Sequence, residues 1–359
     1  PKSEFEGIDP LQVQQAPFFQ HPIGCGPFMV EEVNMKNYTI LAPFDKYYNG
    51  VADFKIQLLP SAGDSDPNVV TRAKSGNLDY GYTKMVADVQ ALEGTPGITV
   101  TPIDVRYTRL FYLNKFDKKD GSPAPLADVR VRQALRYAID METICETLFQ
   151  GSAVPANALA PDANLKGGDL NDYNYNPEKA KELLAEANWD PNTVIKAVYY
   201  YTDQATVDLM TAVQAYLADV GIKMEFELVE GDLATILWTA PADQTNGPRA
   251  VDWDICYAAN AALSLHEYYD RYRTGSPTNS HTPEDAELNR LIDATNASAD
   301  VNAQNEAFKE LIKYENENLF TMALYYQPIF LITSDKIGDI QKGTPQFCIN
   351  WDIQNWNVQ

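Results

Sequence analysis

The chain has 359 residues and a formal net charge of −22 at pH 7, with 50 Asp and Glu against 28 Lys and Arg. The length predicts two or three domains and is ample for buried cores. Such acidity disfavours a nucleic-acid partner and docking on an anionic membrane, because both surfaces would repel the protein.

Neither a secretion signal nor a membrane span is visible in the sequence. The most apolar stretch, residues 319–333, is too short for a bilayer and is interrupted by Gln327 and Pro328. Because the first residue is Pro1 rather than Met, we expect a chain that is processed or cut out of a longer protein.

The cysteines and histidines are scattered along the chain, at Cys25, Cys145, Cys256, Cys348, His21, His266 and His281. No Cys-x-x-Cys or His-Glu-x-x-His spacing occurs, so no metal site is expected. Four cysteines allow three fully paired connectivities. That choice stays open beside the alternative of four buried, unpaired thiols.

Short strands and turns are predicted for the first third of the chain. Residues 51–59 contain alternating apolar and polar side chains and predict a strand, and residues 61–75 predict a turn followed by a short helix. Leu78–Tyr82 and Arg109–Asn114 are further strand candidates. Residues 115–127 are interrupted by proline and glycine and predict a connection between two lobes.

Helical periodicity follows this connection. Helices are predicted from the N-cap Asp128, from Met141 to Gly151, from Asn176-Pro177, along Val207–Leu217, and from Asp232, Thr282-Pro283 and Asp300. Strands are predicted at Val194–Tyr201, Ile222–Leu228, Asp254–Tyr257 and Ala323–Ile332. This interleaving of helices and strands predicts an α/β chain, without a repeat of fixed period.

Six motifs along the chain occur in an order that is typical of one family. They are Gly24-Cys25-Gly26-Pro27-Phe28, Tyr47-Tyr48-Asn49-Gly50, Ser75–Asp79, Asp128–Asp140, Asn176–Ala180 with Leu183-Leu184, and Val220–Met224. In these motifs the chain resembles the extracytoplasmic solute-binding proteins, family 5, of peptide/nickel-type (oligopeptide or dipeptide) ABC importers. The resemblance runs from about residue 20 to residue 335.

The resemblance implies an α/β, two-lobed fold like that of the periplasmic binding proteins (type II, cluster C), with ligand buried between the lobes. The first lobe is expected at residues 1–125, the second at residues 126–325, and a return to the first lobe at residues 326–359. Family members begin with a longer segment before the motif at Gly24. The chain is therefore expected to be the C-terminal two-thirds of such a protein, lacking N-terminal strands and an extra subdomain.

The function implied by the resemblance is that of the substrate-binding component of an ABC transporter. It would capture an oligopeptide or other small solute outside the cytoplasm and deliver it to the permease subunits, without cofactor or catalysis. Membrane contact is expected only through a lipid anchor on the missing N-terminus, as in a lipoprotein. The alternatives are a two-lobed hydrolase and a surface sensor that shares the fold; no nucleophile, base and orienting group is recognisable by spacing.

Aromatic and polar residues near the predicted lobe junctions are the candidate ligand contacts, because tyrosine offers apolar and hydrogen-bonding contact together. Tyr82 and Thr83 follow a predicted strand of the first lobe. Tyr112 is preferred over Phe111, since adjacent strand residues point to opposite faces. Trp238 ends a predicted helix. For each of these the alternative is ordinary packing.

The stretch around Tyr257 and Asn260 completes the candidate set. The resemblance implies a tryptophan and an aspartate near this position in peptide-binding relatives, where the aspartate pairs with the ligand's terminal ammonium. This chain has alanines and Asn260 there instead. A different mode of oligopeptide binding, a sugar or another small solute therefore stays open, with Glu267 and Asp270 as candidate substitutes for the aspartate.

Overall fold

A computed structural model of the chain describes residues 2–9, 12–13, 16–19, 21–34, 37–60, 66, 68–103, 107–159, 165, 169–261, 269, 271–338 and 352–359. The chain separates into two compact units. Unit 1 comprises residues 1–104 and 329–359, and unit 2 comprises residues 105–328.

The strands, in chain order, are β1 (Phe28–Asn34), β2 (Tyr38–Pro43), β3 (Ile56–Leu58), β4 (Tyr80–Thr83), β5 (Ile98–Ile103), β6 (Tyr107–Leu113), β7 (Val154–Pro155), β8 (Val194–Tyr199), β9 (Lys223–Leu228), β10 (Ile255–Ala261), β11 (Thr321–Tyr326), β12 (Ile329–Ser334), β13 (Ile337–Gly338) and β14 (Asn357–Val358). The α-helices are α1 (Val69–Lys74), α2 (Val86–Leu92), α3 (Val129–Ala138), α4 (Met141–Thr147), α5 (Pro177–Glu186), α6 (Gln204–Asp219), α7 (Leu233–Trp238), α8 (Ala286–Ala294) and α9 (Val301–Asn318). These described helices are too short or too polar to cross a bilayer.

Unit 1 contains small antiparallel sheets. One has the order β1-β2-β3, a second has the order β4-β12-β5, and β13 pairs with β14. Its described hydrophobic core consists of Val69 and Ala73 from α1, Leu92 from α2 and Ile332 from β12. The helices α1 and α2 therefore pack near the second sheet, whereas the first sheet contributes nothing to this core.

Unit 2 is built on a six-stranded sheet of order β7-β11-β6-β10-β8-β9. Strand β6 is antiparallel to both β10 and β11, while β8 is parallel to β10 and to β9. Both faces of the sheet are buried. Because side chains alternate along a strand, Phe111 and Leu113 enter one core with α3 to α6, and Leu110 and Tyr112 enter another with α7 to α9.

The lobe boundary predicted at residue 125 does not coincide with the division of the chain into compact units. Strand β6 was expected in the first lobe, but it pairs with β10 and β11 in the middle of unit 2. The compact units divide between residues 104 and 105. Local sequence could not reveal this, because an apolar strand carries no mark of the sheet that it joins. At the second crossing, the expected position after residue 325 lies close to the observed one after residue 328.

Most helix starts agree with the sequence, because each depends on a local capping residue. Asp128, Asn176, Asp232 and Asp300 each accept a hydrogen bond from a backbone N–H of the first turn, as predicted. The helix expected at Thr282-Pro283 instead begins at Ala286, with Asp285 as its cap. The backbone N–H of Thr282 donates to Asn279 Oδ1 at 2.9 Å, which holds that segment in a turn.

Candidate functional site

One end of the unit 2 sheet lies where the chain enters and leaves the unit. Strand β6 begins there at Tyr107 and β11 ends there at Tyr326, a few residues from the unit boundaries. The last residue of β10, Ala261, is paired with Tyr107, and β8 runs parallel to β10. The carboxyl ends of β8, β10 and β11 therefore meet the start of β6 at this end, which we call the boundary end.

At the boundary end, the positively charged side chain of Arg109 is packed among tyrosine rings. Arg109 is paired with Tyr325 across the β6–β11 ladder, and its side chain is only 6% exposed. The guanidinium carbon lies 4.3 Å from the centroid of the Tyr201 ring and 5.9 Å from that of Tyr257. Both distances are within the range of cation–π attraction. We call Arg109, Tyr201, Tyr257 and Tyr325 the boundary cluster.

Hydrogen bonds between phenols link the boundary cluster. The hydroxyls of Tyr257 and Tyr325 are 2.7 Å apart, and those of Tyr200 and Tyr201 are 3.1 Å apart. Burial raises the pKa of Tyr201, Tyr257 and Tyr325 above the ordinary value. Their hydroxyls are therefore neutral at physiological pH and keep their hydrogens for donation.

The structure brings only one predicted site residue, Tyr257, into this cluster. Asn260 lies three residues further along β10, paired with Thr108 and half-buried. Because its position differs from that of Tyr257 by an odd number, it belongs to the opposite face of the sheet. Tyr257 and Asn260 therefore do not form one contact surface, although both lie near the boundary end.

Tyr112 and Trp238 pack against each other within unit 2. Tyr112 is 1% exposed, and its ring meets those of Trp238 and His281 edge-on, with centroids 5.0 and 4.9 Å apart. Trp238 is half-buried, and the guanidinium carbon of Arg271 lies 4.2 Å from its ring centroid. These contacts account for both side chains as packing; their role in ligand binding stays a prediction.

Tyr82 and Thr83 are neighbours on β4 of unit 1. Tyr82 is 49% exposed and is paired with Leu331 of β12. Thr83 is buried, and its hydroxyl donates to Asp88 Oδ2 at 2.6 Å and accepts from the backbone N–H of Met85 at 3.0 Å. Thr83 thus stabilises the start of α2. Ligand contact by Tyr82 or Thr83 stays a prediction.

Arg109, Tyr201 and Tyr325 are members of the cluster that the sequence did not single out. A lone arginine inside an apolar strand is the signal that was available, because such a charge is rarely buried without a purpose. The tyrosines gave no comparable signal, since the chain contains 21 of them. The candidate substitutes Glu267 and Asp270 lie outside the described residues.

The described thiols are not joined to one another. Cys145 and Cys256 are buried in the two different cores of unit 2, and burial raises the pKa of both. Cys25 is exposed, which contradicts the expectation of a fourfold buried set. Cys348 lies outside the described residues. Within the described part of the chain, His, Cys, Asp and Glu form no group of three that would hold a metal.

Comparison with known proteins identifies the family. Residues 7–282 match the family model described as bacterial extracellular solute-binding proteins, family 5 Middle. The oligopeptide-binding protein AppA of Bacillus subtilis is 26% identical over 272 residues, which are 70% of this chain and 46% of AppA. The dipeptide-binding protein of Escherichia coli is 29% identical over 168 residues, which are 46% of this chain and 30% of the relative. The chain thus spans less than half the length of these curated relatives.

Solved structures show the same fold. The ABC transporter substrate-binding protein CtaP from Listeria monocytogenes has a TM-score of 0.79 at 18% identity, covering 100% of this chain and 71% of CtaP. AppA from Bacillus subtilis, in complex with a nonapeptide, has a TM-score of 0.77 at 18% identity, with 100% and 71% coverage. The predicted α/β, type II periplasmic-binding-protein fold is therefore confirmed. Since the family model matches most of its residues, the chain belongs to the bacterial extracellular solute-binding proteins of family 5.

Proposed function

We propose that the chain is the solute-capturing part of an ABC importer, which binds an oligopeptide or other small solute and delivers it to permease subunits. The family match over residues 7–282 is the observation that carries this proposal. It is supported by similar proteins, among them the oligopeptide-binding protein AppA of Bacillus subtilis, whose structure was solved in complex with a nonapeptide. That the ligand lies between two lobes stays a prediction of the resemblance.

The chemistry of β10 bears on how a peptide would be held. Its last four residues are Ala258, Ala259, Asn260 and Ala261, so this stretch offers no carboxylate to a terminal ammonium. A buried ammonium without a counter-charge would lose several kcal/mol of hydration, which an amide dipole replaces poorly. We therefore propose a ligand that is not anchored through an ammonium at this strand.

The family is extracellular by its description. We further propose that the protein is held at the membrane by a lipid on an N-terminal segment, as a lipoprotein. Labelling the full-length gene product with a radioactive fatty acid would test the anchor, and label that stays absent from the protein band would count against it.

Binding without turnover is the property to test. The chain would be titrated calorimetrically with a mixture of short synthetic peptides, and mass spectrometry would follow both bound and hydrolysed species. We expect saturable binding and recovery of the peptides unchanged. Accumulating product from peptides, peptide esters or glycosides would favour the hydrolase instead. Association with a signalling protein rather than a permease would favour the sensor.

A further inference from the structure

The dipeptide Asn-Gly occurs twice in the chain, at Asn49-Gly50 in unit 1 and at Asn246-Gly247 in unit 2. An asparagine that precedes glycine can modify itself, because the glycine backbone nitrogen can attack the side-chain amide and glycine has no Cβ to block the approach. The attack requires an N–H that solvent can reach, since its proton must leave, and a backbone that can bring the nitrogen to Cγ. The two dipeptides differ in both respects.

Asn49-Gly50 forms an exposed turn. Both residues are exposed, and Gly50 has a φ of 97°, a conformation that glycine adopts without strain. Within the described part of the chain, neither the Gly50 N–H nor the Asn49 side-chain amide forms a hydrogen bond. The attacking nitrogen and the amide that it would attack are therefore both accessible, and no hydrogen bond of the described residues must break before they meet.

Asn246-Gly247 is fixed in a hydrogen-bonded turn. The Gly247 N–H donates to the backbone carbonyl of Asp243 at 3.1 Å. The Asp243 side chain also accepts from the backbone N–H groups of Thr245 and Asn246, at 2.9 and 3.1 Å. A Cβ on Gly247 would collide with the Asp243 carbonyl oxygen, so the backbone approaches very closely there. These bonds must break before the Gly247 nitrogen can attack.

The reaction at Asn49-Gly50 would need only water. The Gly50 nitrogen loses its proton to solvent and forms a bond to Cγ of Asn49, and the side-chain nitrogen takes up a proton from solvent and leaves as ammonia. The product is a cyclic succinimide. Water then opens the ring at Cγ, which gives aspartate, or at the backbone carbonyl carbon, which gives isoaspartate with the chain continued through the side chain. Either product adds one carboxylate, and nothing is oxidised or reduced.

The product would lie against the C-terminal segment of unit 1, residues 352–359. The backbone carbonyl of Asn49 accepts from Gln354 Nε2 at 3.4 Å, and Gln354 is 5% exposed. Two residues further on, Trp356 is buried and packs against Tyr80, with ring centroids 5.3 Å apart. Isoaspartate would turn this carbonyl into a carboxylate and lengthen the backbone by one methylene. Both changes occur at a contact that holds the segment.

We propose that Asn49 is a site of spontaneous deamidation in the folded protein, whereas its turn protects Asn246, and that isoaspartate at position 49 loosens residues 352–359. The proposal is independent of solute capture, since it uses no residue of the boundary cluster. Because the reaction needs no enzyme, the modified fraction would record the time that a molecule has spent in a neutral or alkaline medium.

Peptide mapping during prolonged incubation tests this proposal. The folded chain would be sampled at intervals by tandem mass spectrometry, and isoaspartate would be counted with an isoaspartyl methyltransferase and a labelled methyl donor. We expect Asn49 to react at least about tenfold faster than Asn246, because the turn of Asn246 must first lose its hydrogen bonds. Both rates should rise with pH, since the attacking nitrogen must lose its proton.

Two matched variants assign the signal. Asn49→Gln should abolish most of the methyl acceptance, because the longer side chain would have to close a larger and less favourable ring. Asn246→Gln makes the same change at the protected dipeptide and should leave the methyl acceptance of the folded chain unaltered. The reverse pattern would overturn the proposal.

Incubation in urea separates structure from local sequence. Once the chain is unfolded, the two dipeptides should react at rates within about threefold of each other, since both asparagines precede glycine. A ratio in urea equal to that of the folded chain would assign the difference to local sequence and overturn the protection by the turn. An Asn49 that reacts in urea but stays intact in the folded chain would overturn the site.

Hydrogen exchange tests the consequence for the C-terminal segment. The isoaspartate form carries an extra negative charge and would be separated from the unmodified chain by anion exchange. Amides of Asn355 and Trp356, which donate within residues 352–356, should exchange at least about threefold faster in the modified form, while those of β12 keep their rates. Equal exchange in both forms would overturn the loosening.

Discussion

The two units of the chain differ in how completely their sheets are buried. In unit 2 both faces of the sheet are covered by helices, and the strands β6, β8 and β10 contribute to two cores. In unit 1 no residue of β1, β2 or β3 is buried. Since burial of apolar surface is the main favourable term in folding, the two units should resist unfolding to very different degrees.

This difference bears on how a binding site can be built. The boundary cluster rests on β6, β8, β10 and β11 of unit 2, whose central strands are held by pairing on both edges and by packing on both faces. Residues that must keep a fixed geometry are best placed on such strands, because a rigid support limits the entropy lost on binding. Tyr82, in contrast, projects from a short strand of a three-stranded sheet.

The largest expected effect is on the free energy of unfolding, when leucine is replaced by alanine in each of the two units. Leu324→Ala removes a fully buried side chain from the unit 2 core and should lower the free energy of unfolding by about 2–5 kcal/mol. Leu58→Ala, at a position of β3 that is 48% exposed, should change it by no more than about 0.5 kcal/mol. Urea denaturation followed by far-ultraviolet circular dichroism would measure both. Similar losses of unfolding free energy at the two positions would contradict the inference that the buried core of unit 2 contributes more to stability than the exposed sheet of unit 1.

The next largest effect is a pH dependence of stability that is caused by one buried acidic residue of unit 2, Glu315. Glu315 of α9 is 2% exposed, and burial raises its pKa to about 8, although the Thr321 N–H and the Lys115 charge act in the opposite direction. Between the ordinary value of 4.5 and about 8, the folded state keeps a proton that the unfolded state has released. Stability should therefore fall as the pH rises through this window, by up to about 1.4 kcal/mol per pH unit.

Glu315→Gln removes this titration and should become progressively more stable than the unmodified chain as the pH rises. Urea denaturation at several pH values between about 5 and about 8 would measure the difference. Glu310→Gln, an exposed position of the same helix, is the matched control. A stability difference for Glu315→Gln that does not grow with pH would contradict the buried, protonated acid.

Elements that depend on neighbouring residues were predictable from the sequence. The capped helices α3, α5, α7 and α9 were found at the expected starts, because a side-chain oxygen acts within its own turn. The alternating pattern of residues 222–228 likewise gave β9 at Lys223–Leu228. In each case the deciding interaction lies within a few residues along the chain.

The structural features that were not predicted depend on interactions between residues that are distant in sequence. The strand predicted over Ala323–Ile332 was expected to be interrupted at Pro328, and the structure has two strands there, β11 and β12. That these two strands belong to different units was not predicted for this segment. The strands β1, β2 and β5 and the helix α2 were not predicted, because their sequences show little of the apolar periodicity that marks a buried face. The sheet order of unit 2 follows from long-range pairing, which no local pattern encodes.

The candidate site was predictable only in part, for the same reason. Tyr257 was named because the segment around it departs from the pattern of similar peptide-binding proteins. Arg109, Tyr201 and Tyr325 come from three further strands or their ends, and only the sheet brings them together. Tyr112 was preferred over Phe111 on strand parity, yet both are buried, because this sheet has no open face at that point.

The smallest expected effect concerns the start of helix α2 in unit 1, where the hydroxyl of Thr83 forms two hydrogen bonds. Thr83→Val keeps the shape of the side chain but removes the hydroxyl that bonds to Asp88 and Met85, which should destabilise the helix by about 1 kcal/mol. Amides of Val86–Leu92 should then exchange about fivefold faster, while those of β6 keep their rates. Thr83→Ser retains the hydroxyl and should exchange like the unmodified chain. Faster exchange in β6 as well would mean that the two units unfold as one cooperative body, which would remove the basis for ranking their stabilities separately.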